Sequence, residues 1–227
     1  MKTVISIIFV IILSYLVGSF NISYFLSKAK GYDIRQHGSG NAGASNVVIM
    51  MGKKMGIIVA LIDIFKAFLV CTIAMKLFPD KIYMGPLAGA SAMLGHIFPF
   101  YMNFKGGKGL ATLGGTILAL DPKMFIVLFT ISVILAVVIN YICVVPMSMS
   151  IIFAVAYSTT RRSFVSFLIL MVAAVFINLK HVENLRRIKA GTEAHFSLLW
   201  NRKAEADRLS KVYDDGKGYE NVEDIIR

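Results

Sequence analysis

The sequence predicts an all-α, polytopic integral membrane protein, and three observations lead to that fold class. Hydrophobic residues make up 57% of the 227-residue chain and charged residues only 16%, whereas soluble domains are nearer half apolar and a quarter charged. Apolar runs long enough to cross a bilayer recur along the sequence. The Lys and Arg residues behind the formal charge of +11 cluster between those runs, as in cytoplasmic loops of membrane proteins. The basic charge therefore indicates membrane lipids and phosphorylated substrates rather than nucleic acid.

The apolar runs predict seven transmembrane helices, some of them short, with five as the alternative. The first run is expected to be retained, since no convincing signal-peptidase site follows it. The run at 124–157 is too long for one span, and Asn140 and Pro146 interrupt it, so two helices should meet at a break. The short run at 110–120 predicts a short or re-entrant helix. The runs, in order, are 4–26, 55–78, 82–101, 110–120, 124–157 and 163–179.

Basic residues set the expected orientation. The segments 28–54, 103–109 and 180–227 carry most of the Lys and Arg, and the positive-inside rule places all three in the cytoplasm. That placement requires an N-terminus outside, a C-terminus in the cytoplasm and an odd number of spans. Arg161 and Arg162 would then face outward, against the rule, but three basic segments outweigh one.

The segment 37–46, HGSGNAGASN, matches the G-x-G-x-x-G pattern of a dinucleotide-binding fingerprint, with Asp63 where that motif places an acid. The fingerprint needs a preceding strand and a βαβ unit, whereas this segment follows a membrane span. We therefore interpret it as a loop whose backbone N–H groups converge on a different phosphate, at the N-terminus of the following span; a flexible loop is the alternative. Its candidate residues are Gly38, Ser39, Gly40, Asn41, Gly43 and Asn46.

A second candidate phosphate site precedes the run at 110–120. Lys105 and Lys108 flank Gly106 and Gly107 there. Glycine exposes backbone N–H groups, and together with ammonium groups these bind phosphate. Lysines that only extend to the lipid headgroups are the alternative. A Walker A motif is excluded because glycine follows the second lysine, where Ser or Thr is required.

A third polar segment, HVENLRRIKAGTE, predicts a helix that leaves the membrane. His181 and Asn184 are three residues apart and so share a helix face. Glu183 and Arg187 have the spacing of an ion pair, and Gly191 should end the helix. An ordinary basic helix next to the membrane is the alternative.

The apolar runs also contain a few polar residues. Asp63 and Lys66 are three residues apart, and we expect them to pair as a structural strut, with a proton or substrate path as the alternative. His96 is interpreted as a structural histidine. Cys71 and Cys143 have no metal-site spacing and do not indicate a disulfide.

In order and spacing, the three signatures GSGNAGASNV, GHIFPFYMNFKGGKGLAT and HVENLRRIKAGTE resemble those of the bacterial acyl-phosphate:glycerol-3-phosphate acyltransferases of the PlsY type. The resemblance extends from the first span to about Glu193. It implies a seven-span enzyme of the plasma membrane with its active site at the cytoplasmic face. It implies acyl transfer from acyl phosphate to the 1-hydroxyl of glycerol 3-phosphate, giving lysophosphatidic acid and phosphate without a metal or other cofactor. A substrate phosphate would accept the hydroxyl proton, which agrees with the absence of a His–Asp dyad from the sequence.

The resemblance also implies roles for individual residues. Ser39 and its neighbours would hold the donor phosphate, Lys53 would lie near the acceptor phosphate, and Ser148 would add a hydroxyl after the break. The implied catalytic residues are Ser39, Lys108, His181 and Asn184. Together with the reading of the three polar segments, the resemblance gives these expected substrate-binding residues: Gly38, Gly40, Asn41, Gly43, Asn46, Lys53, Lys105, Gly106, Gly107, Ser148 and Arg187.

Three positions depart from the family pattern, and the mildest of them is Ser45, where the family usually has Thr. Ile49 stands where the family has an Arg for the glycerol phosphate, and Lys180 replaces an Arg at the third signature. Losing a charge-assisted contact costs roughly 1.5–3 kcal/mol. The expectation is a weakened enzyme, one compensated by Lys53 or Lys54, or a paralogue with another acyl acceptor. Restoring Arg at position 49 should then lower the KM for glycerol 3-phosphate.

Two other classes of function are carried as alternatives. The Asp63–Lys66 pair and the break near Pro146 would suit a transporter or flippase of phosphorylated metabolites or lipids, although no inverted repeat is evident. A lipid-binding regulator is the other. The division expected is a membrane domain at 1–193 and a polar cytoplasmic tail at 194–227, solvated and partly disordered.

Overall fold

The computed structural model describes residues 2–213, and those residues form helices and turns without a β-strand. Four helical segments have the length and hydropathy to cross a membrane: Thr3–Ala29, Lys53–Leu77, Pro122–Ile139 and Phe164–Lys189. The prediction of an all-α membrane protein is confirmed. The α-helices of the described residues are α1 (Lys2–Ser19), α2 (Ile22–Ala29), α3 (Ala44–Met51), α4 (Lys53–Leu77), α5 (Met84–Ile97), α6 (Leu110–Leu120), α7 (Pro122–Ile139), α8 (Val144–Thr160), α9 (Phe164–Lys189) and α10 (Arg202–Tyr213).

The first apolar run was expected to form one continuous helix, but it is interrupted. Asn21 separates α1 from α2, and its Oδ1 accepts a hydrogen bond of 2.9 Å from the backbone N–H of Tyr24. A short amide side chain competes for backbone groups in this way and so favours a helix start. Its Nδ2 donates to the carbonyl of Ala42 at 2.9 Å. The interruption therefore also fixes the glycine-rich loop of the first signature.

The later helix boundaries mostly follow the sequence. The predicted break in the run at 124–157 is confirmed, because Asn140 adopts a left-handed conformation with φ of 62° between α7 and α8. The short run at 110–120 is α6, as expected. The third run ends earlier than predicted, at Ile97, and a 3-10 turn at Phe100–Met102 follows. The predicted end of the last helix is confirmed, with Gly191 left-handed at φ of 73° just after α9.

Glycine allows the helices around α5 to pack closely. α5 contacts α1, α4, α6 and α9. A Cβ on Gly18 of α1 would lie 2.2 Å from the carbonyl oxygen of Ala92, and one on Gly95 would lie 2.2 Å from that of Tyr15. Small residues at such crossings bring backbones together, as is common in membrane bundles. The large apolar side chains on the outside, such as Val138 at 76% exposure, suit contact with lipid.

A buried ionic cluster connects α4 to α5. Lys66 Nζ lies 2.7 Å from Asp63 Oδ1, which confirms the predicted pair. His96 Nδ1 lies 3.1 Å from Lys66 Nζ and 3.4 Å from Asp63 Oδ1. Lys66 also donates to the carbonyl of Phe20 at 2.7 Å. The three ionisable side chains therefore lie within ion-pair distance of one another, as buried charges in a low-dielectric interior require. Cys71 and Cys143 are free and buried, as expected.

The described part of the polar tail, residues 194–213, packs on the membrane domain and is not fully solvated. It contains a 3-10 turn at Phe196–Leu199, followed by α10. The backbone N–H of Phe196 donates to the carbonyl of Asn140 at 2.7 Å, and Leu209 is only 2% exposed. The expectation of disorder for the last part of the tail, 214–227, lies outside the described residues.

Candidate active site

The glycine-rich loop of the first signature is organised around the side chain of Asn46. This side chain is fully buried, and its Nδ2 donates to the carbonyls of Ile34 at 2.9 Å and His37 at 3.0 Å. Its Oδ1 accepts the backbone N–H of Ser39 at 2.9 Å. A Cβ on Gly38, which has φ of +58°, would lie 2.3 Å from the same oxygen. Asn46 therefore shapes the loop from within, and Gly38 is required there.

The helix that follows this loop is not the second span, as the sequence suggested. α3 is a separate helix of eight residues, and Gly52, at φ of 85°, divides it from α4. Gly43 is its N-cap and has no side chain to satisfy the first N–H groups. Those N–H groups and the helix dipole favour an anion at this end. The position expected for a phosphate is thus retained, on a shorter helix.

An arginine links the first signature to the second. Arg35 forms a two-point ion pair with Asp33, at 3.0 Å from Nε and 2.7 Å from Nη2. Its Nη1 donates to the carbonyl of Met102 at 2.6 Å, just before the second signature's lysines. The hydrogen bond from Arg35 lowers the pKa of Asp33 to about 2, against the effect of its burial. This pair fixes the glycine-rich loop relative to the loop after α5.

The paired glycines of the second signature have a structural reason that the sequence analysis missed. The backbone N–H of Gly106 donates to the carbonyl of Ile97 at 3.1 Å, and the backbone N–H of Gly107 donates to the carbonyl of His96 at 3.0 Å. A Cβ on Gly106 would lie 2.1 Å from the carbonyl oxygen of His96, and one on Gly107 would lie 2.0 Å from its Nε2. The expectation that these two N–H groups face a phosphate is therefore wrong; they fold the loop against His96.

Lys108 joins the second signature to the third. Its Nζ donates to Asn184 Oδ1 at 2.5 Å, and Asn184 Nδ2 donates to Glu193 Oε1 at 2.5 Å. Arg187 Nε donates to the other oxygen of Glu193 at 2.6 Å and forms the predicted pair with Glu183 at 3.2 Å. Burial and the nearby Arg187 lower the pKa of Lys108, while both glutamates oppose that shift. Glu193 is the functional neighbour that sequence reasoning did not single out; its only signal was its place at the end of the third signature.

His181 lies one turn before Asn184, on the same buried face of α9, as predicted. The two side chains are 4% and 6% exposed. His181 Nδ1 lies 2.8 Å from the carbonyl oxygen of Ile177. A carbonyl only accepts hydrogen bonds, so Nδ1 carries the proton of the neutral ring and Nε2 is left as a lone-pair acceptor.

Several candidate residues are not joined to this centre. Lys53 is exposed at the start of α4, and Lys105 is exposed in the loop. The Ser148 hydroxyl donates to the carbonyl of Val144 at 2.7 Å, inside its own helix. In the described part of the chain, no hydrogen bond connects these three side chains to Lys108 or Asn184. Gly40 and Asn41 lie in the glycine-rich loop, exposed and partly exposed.

These features define a helical membrane protein whose three polar segments are held together by hydrogen bonds from the side chains of Arg35 and Lys108. The model of the glycerol-3-phosphate acyltransferase family matches residues 8–191. The chain therefore belongs to the glycerol-3-phosphate acyltransferase family.

Individual relatives agree with this assignment. The glycerol-3-phosphate acyltransferase of Aquifex aeolicus is 34% identical over 196 residues, which cover 83% of this chain and 98% of the relative. That of Bacillus subtilis is 36% identical over 185 residues, covering 81% and 94%.

Two solved structures of PlsY, an integral membrane glycerol 3-phosphate acyltransferase, share the fold. The glycerol 3-phosphate form has a TM-score of 0.79 at 31% identity and covers 86% of this chain and 97% of that chain. The lysophosphatidic acid form has a TM-score of 0.75 at 30% identity, with coverages of 84% and 95%.

Proposed function

We propose that this chain transfers a fatty acyl group from acyl phosphate to the 1-hydroxyl of glycerol 3-phosphate. The hydroxyl oxygen attacks the acyl carbonyl carbon, the bond from that carbon to the phosphate oxygen breaks, and lysophosphatidic acid and phosphate leave. The released phosphate carries the hydroxyl proton. Family membership supports the acyltransferase activity, and the forms in which PlsY was solved support the acceptor and the product. The acyl phosphate donor is supported by the resemblance of the three signatures.

The contact between Lys108 and Asn184 is the observation that carries this proposal. It places a partly buried ammonium group beside the polar face of α9. A cation held in a partly desolvated site stabilises phosphate and developing negative charge more strongly than one in water. Lys108 and Asn184 would therefore bind phosphate and stabilise the oxyanion, and the free Nε2 of His181 would accept a hydrogen bond from a substrate hydroxyl.

The glycine-rich loop of the first signature would hold the phosphate of the acyl donor. Ser39 and the backbone of Gly40 and Asn41 precede the N-terminus of α3, which attracts an anion. The resemblance gives this loop the donor phosphate. Lys53 is the exposed first residue of α4, which only Gly52 separates from α3. Its charge would attract the doubly charged glycerol 3-phosphate.

The membrane topology is part of the proposal. Seven spans, with the N-terminus outside and the C-terminus in the cytoplasm, are supported by the distribution of basic residues and by the resemblance of the three signatures. The acyltransferase domain would comprise residues 1–193, and the tail at 194–227 would lie in the cytoplasm. The site would then face the cytoplasm from the plasma membrane, where acyl phosphate reaches it from the lipid.

A second candidate, a paralogue that acylates another small phosphorylated acceptor, is favoured by one observation. Ile49 replaces the family Arg and is 9% exposed, among apolar side chains. An isoleucine offers no donor for a phosphate. A screen of acyl acceptors with a long-chain acyl phosphate as donor separates the two candidates. Glycerol 3-phosphate should give the highest kcat/KM; a clear preference for another acceptor would replace the proposed reaction by the second one.

A further inference from the structure

The segment after the third signature packs on two parts of the candidate site. One is α3, the helix after the glycine-rich loop, and the other is the end of α9. The family match ends at residue 191, and the Aquifex aeolicus relative is covered for 98% of its length by 83% of this chain. Residues 194–213 therefore follow the part of the chain that the family model matches, and they make ordered contacts with it. α10 is the helical part of this segment.

The first contact is with α3, the helix after the glycine-rich loop. Leu209, 2% exposed, and Ile49, 9% exposed, form an apolar cluster. Met50, Ala194 and Leu198 pack against it. An arginine at position 49 would put a guanidinium into this cluster, at the high cost of burying an unpaired charge. The isoleucine and the packed tail therefore fit each other.

The second contact is with the end of α9. Arg208 Nη1 donates to the carbonyl of Gly191 and Nη2 to that of Glu193, both at 2.7 Å. Glu205 holds the same guanidinium at 2.6 Å. Glu193 in turn receives the hydrogen bond from Asn184 that continues to Lys108. Neighbouring residues on α10 thus reach α3, through Leu209, and the end of the third signature, through Arg208.

A third contact anchors the segment to the break between α7 and α8. His195 Nε2 lies 3.2 Å from the hydroxyl of Tyr141, and Glu205 bonds both the N–H and Nδ1 of His195. The N–H of Ser197 donates to Asn140 Oδ1 at 2.9 Å. The segment is therefore held at both of its ends.

We propose that residues 194–213 form a brace that holds α3 and the end of α9 at a fixed separation, with Leu209 and Arg208 as positioning residues for acceptor binding. This inference rests on the proposed function. The brace orders α3 through the packing of Leu209 against Ile49. It contacts no reacting atom, so its loss should weaken acceptor binding more than the chemical step.

A double-mutant cycle on the full-length protein tests the brace. Leu209→Ala should raise the KM for glycerol 3-phosphate about tenfold, since small displacements of positioning groups carry penalties of that order or more, with kcat changed less than about twofold. Ile49→Ala should give a similar increase, and the double variant should be no worse than either single one. Leu209→Met should keep the wild-type KM. Lys203→Ala, at an exposed position of the same helix, is the matched control.

The position-49 variant separates this inference from the sequence-based expectation. Ile49→Arg would displace the brace, so we expect the KM to rise and not to fall. A milder variant, Leu209→Val, should shift the KM in the same direction as Leu209→Ala if the latter folds poorly.

The outcomes distinguish the two proposals. Additive effects of the two alanine substitutions, or an unchanged KM in Leu209→Ala, would overturn the brace while leaving the acyltransferase intact. If the wild-type protein forms no lysophosphatidic acid, the proposed function fails. In that case, thermal unfolding of wild type, Leu209→Ala, Ile49→Ala and the double variant measures the coupling between Ile49 and Leu209. Additive losses of stability would again overturn the brace.

Discussion

Lys108 and Asn184 are 76 residues apart in sequence, and a 2.5 Å hydrogen bond joins their side chains. One lies in the loop before α6 and the other on the buried face of α9. The contact brings two of the three signatures into one polar centre, and Glu193 extends it to the end of the third. The arrangement gives the ammonium group of Lys108 a fixed position.

Removing the Asn184 amide should disable this centre. Asn184→Ala should lower kcat/KM about ten- to a hundredfold, because a hydrogen bond to a charged group contributes roughly 1.5–3 kcal/mol. Steady-state kinetics with glycerol 3-phosphate and acyl phosphate measure the effect. Leu185→Ala, at a neighbouring position that is 43% exposed, is the control. Equal activity of the two variants would remove Asn184 from the site.

The second signature's glycines should be intolerant of even one methyl group. Gly107→Ala would place its Cβ 2.0 Å from His96 Nε2, whereas a Cβ on Gly114 would be 3.9 Å from its nearest neighbour, on Phe125. Overpacking of this kind typically costs about 1–3 kcal/mol. We expect Gly107→Ala to lower the unfolding temperature and activity, and Gly114→Ala to change neither. Wild-type stability of Gly107→Ala would contradict the close packing against His96.

The Asp63–Lys66–His96 cluster should behave as a structural unit. Asp63→Ala leaves Lys66 without its carboxylate partner, and breaking a buried ion pair on one side costs about 3–5 kcal/mol. The double variant Asp63→Leu/Lys66→Met removes both charges and should recover much of that loss. Thermal unfolding in detergent compares the three proteins. A double variant less stable than the single one would indicate a different role for the pair.

The ion pair between Asp33 and Arg35 predicts a pH-dependent contribution to stability. The pKa of Asp33 is about 2 in the folded protein, below its ordinary value of 3.8, mainly because of the hydrogen bond from Arg35. A lowered carboxylate pKa stabilises the fold above the ordinary value, and this stabilisation is lost as the pH falls through the folded one. Asp33→Asn should therefore be less stable than wild type at neutral pH. The difference in unfolding temperature should shrink as the pH falls from 3.8 towards 2, and a constant difference would rule out the linkage.

The local pattern of apolar and polar residues was sufficient to predict the helices and several neighbouring side chains within them. Apolar length and interrupting residues such as Asn140 determine where a membrane helix can run, so the break between α7 and α8 was predictable. Helical spacing placed Asp63 beside Lys66, and His181 on the face of Asn184, because residues three apart on a helix are neighbours. Roles for these residues came from the family resemblance and stay predictions.

Contacts between distant segments were not predictable in the same way. Nothing in the order of residues states that His96 meets the Asp63–Lys66 pair, or that it occupies the space beside Gly107. The tail was the largest miss, since a polar, charged segment has no periodicity that reveals one buried leucine. Leu209 is buried in part against Ile49, which lies more than 150 residues earlier in the sequence.

The most direct test of the account is the product formed by the purified full-length protein from glycerol 3-phosphate and a long-chain acyl phosphate. The proposed reaction gives lysophosphatidic acid and inorganic phosphate in equal amounts. Absence of lysophosphatidic acid, under conditions in which the Aquifex aeolicus relative forms it, would contradict the proposed acyl transfer to glycerol 3-phosphate.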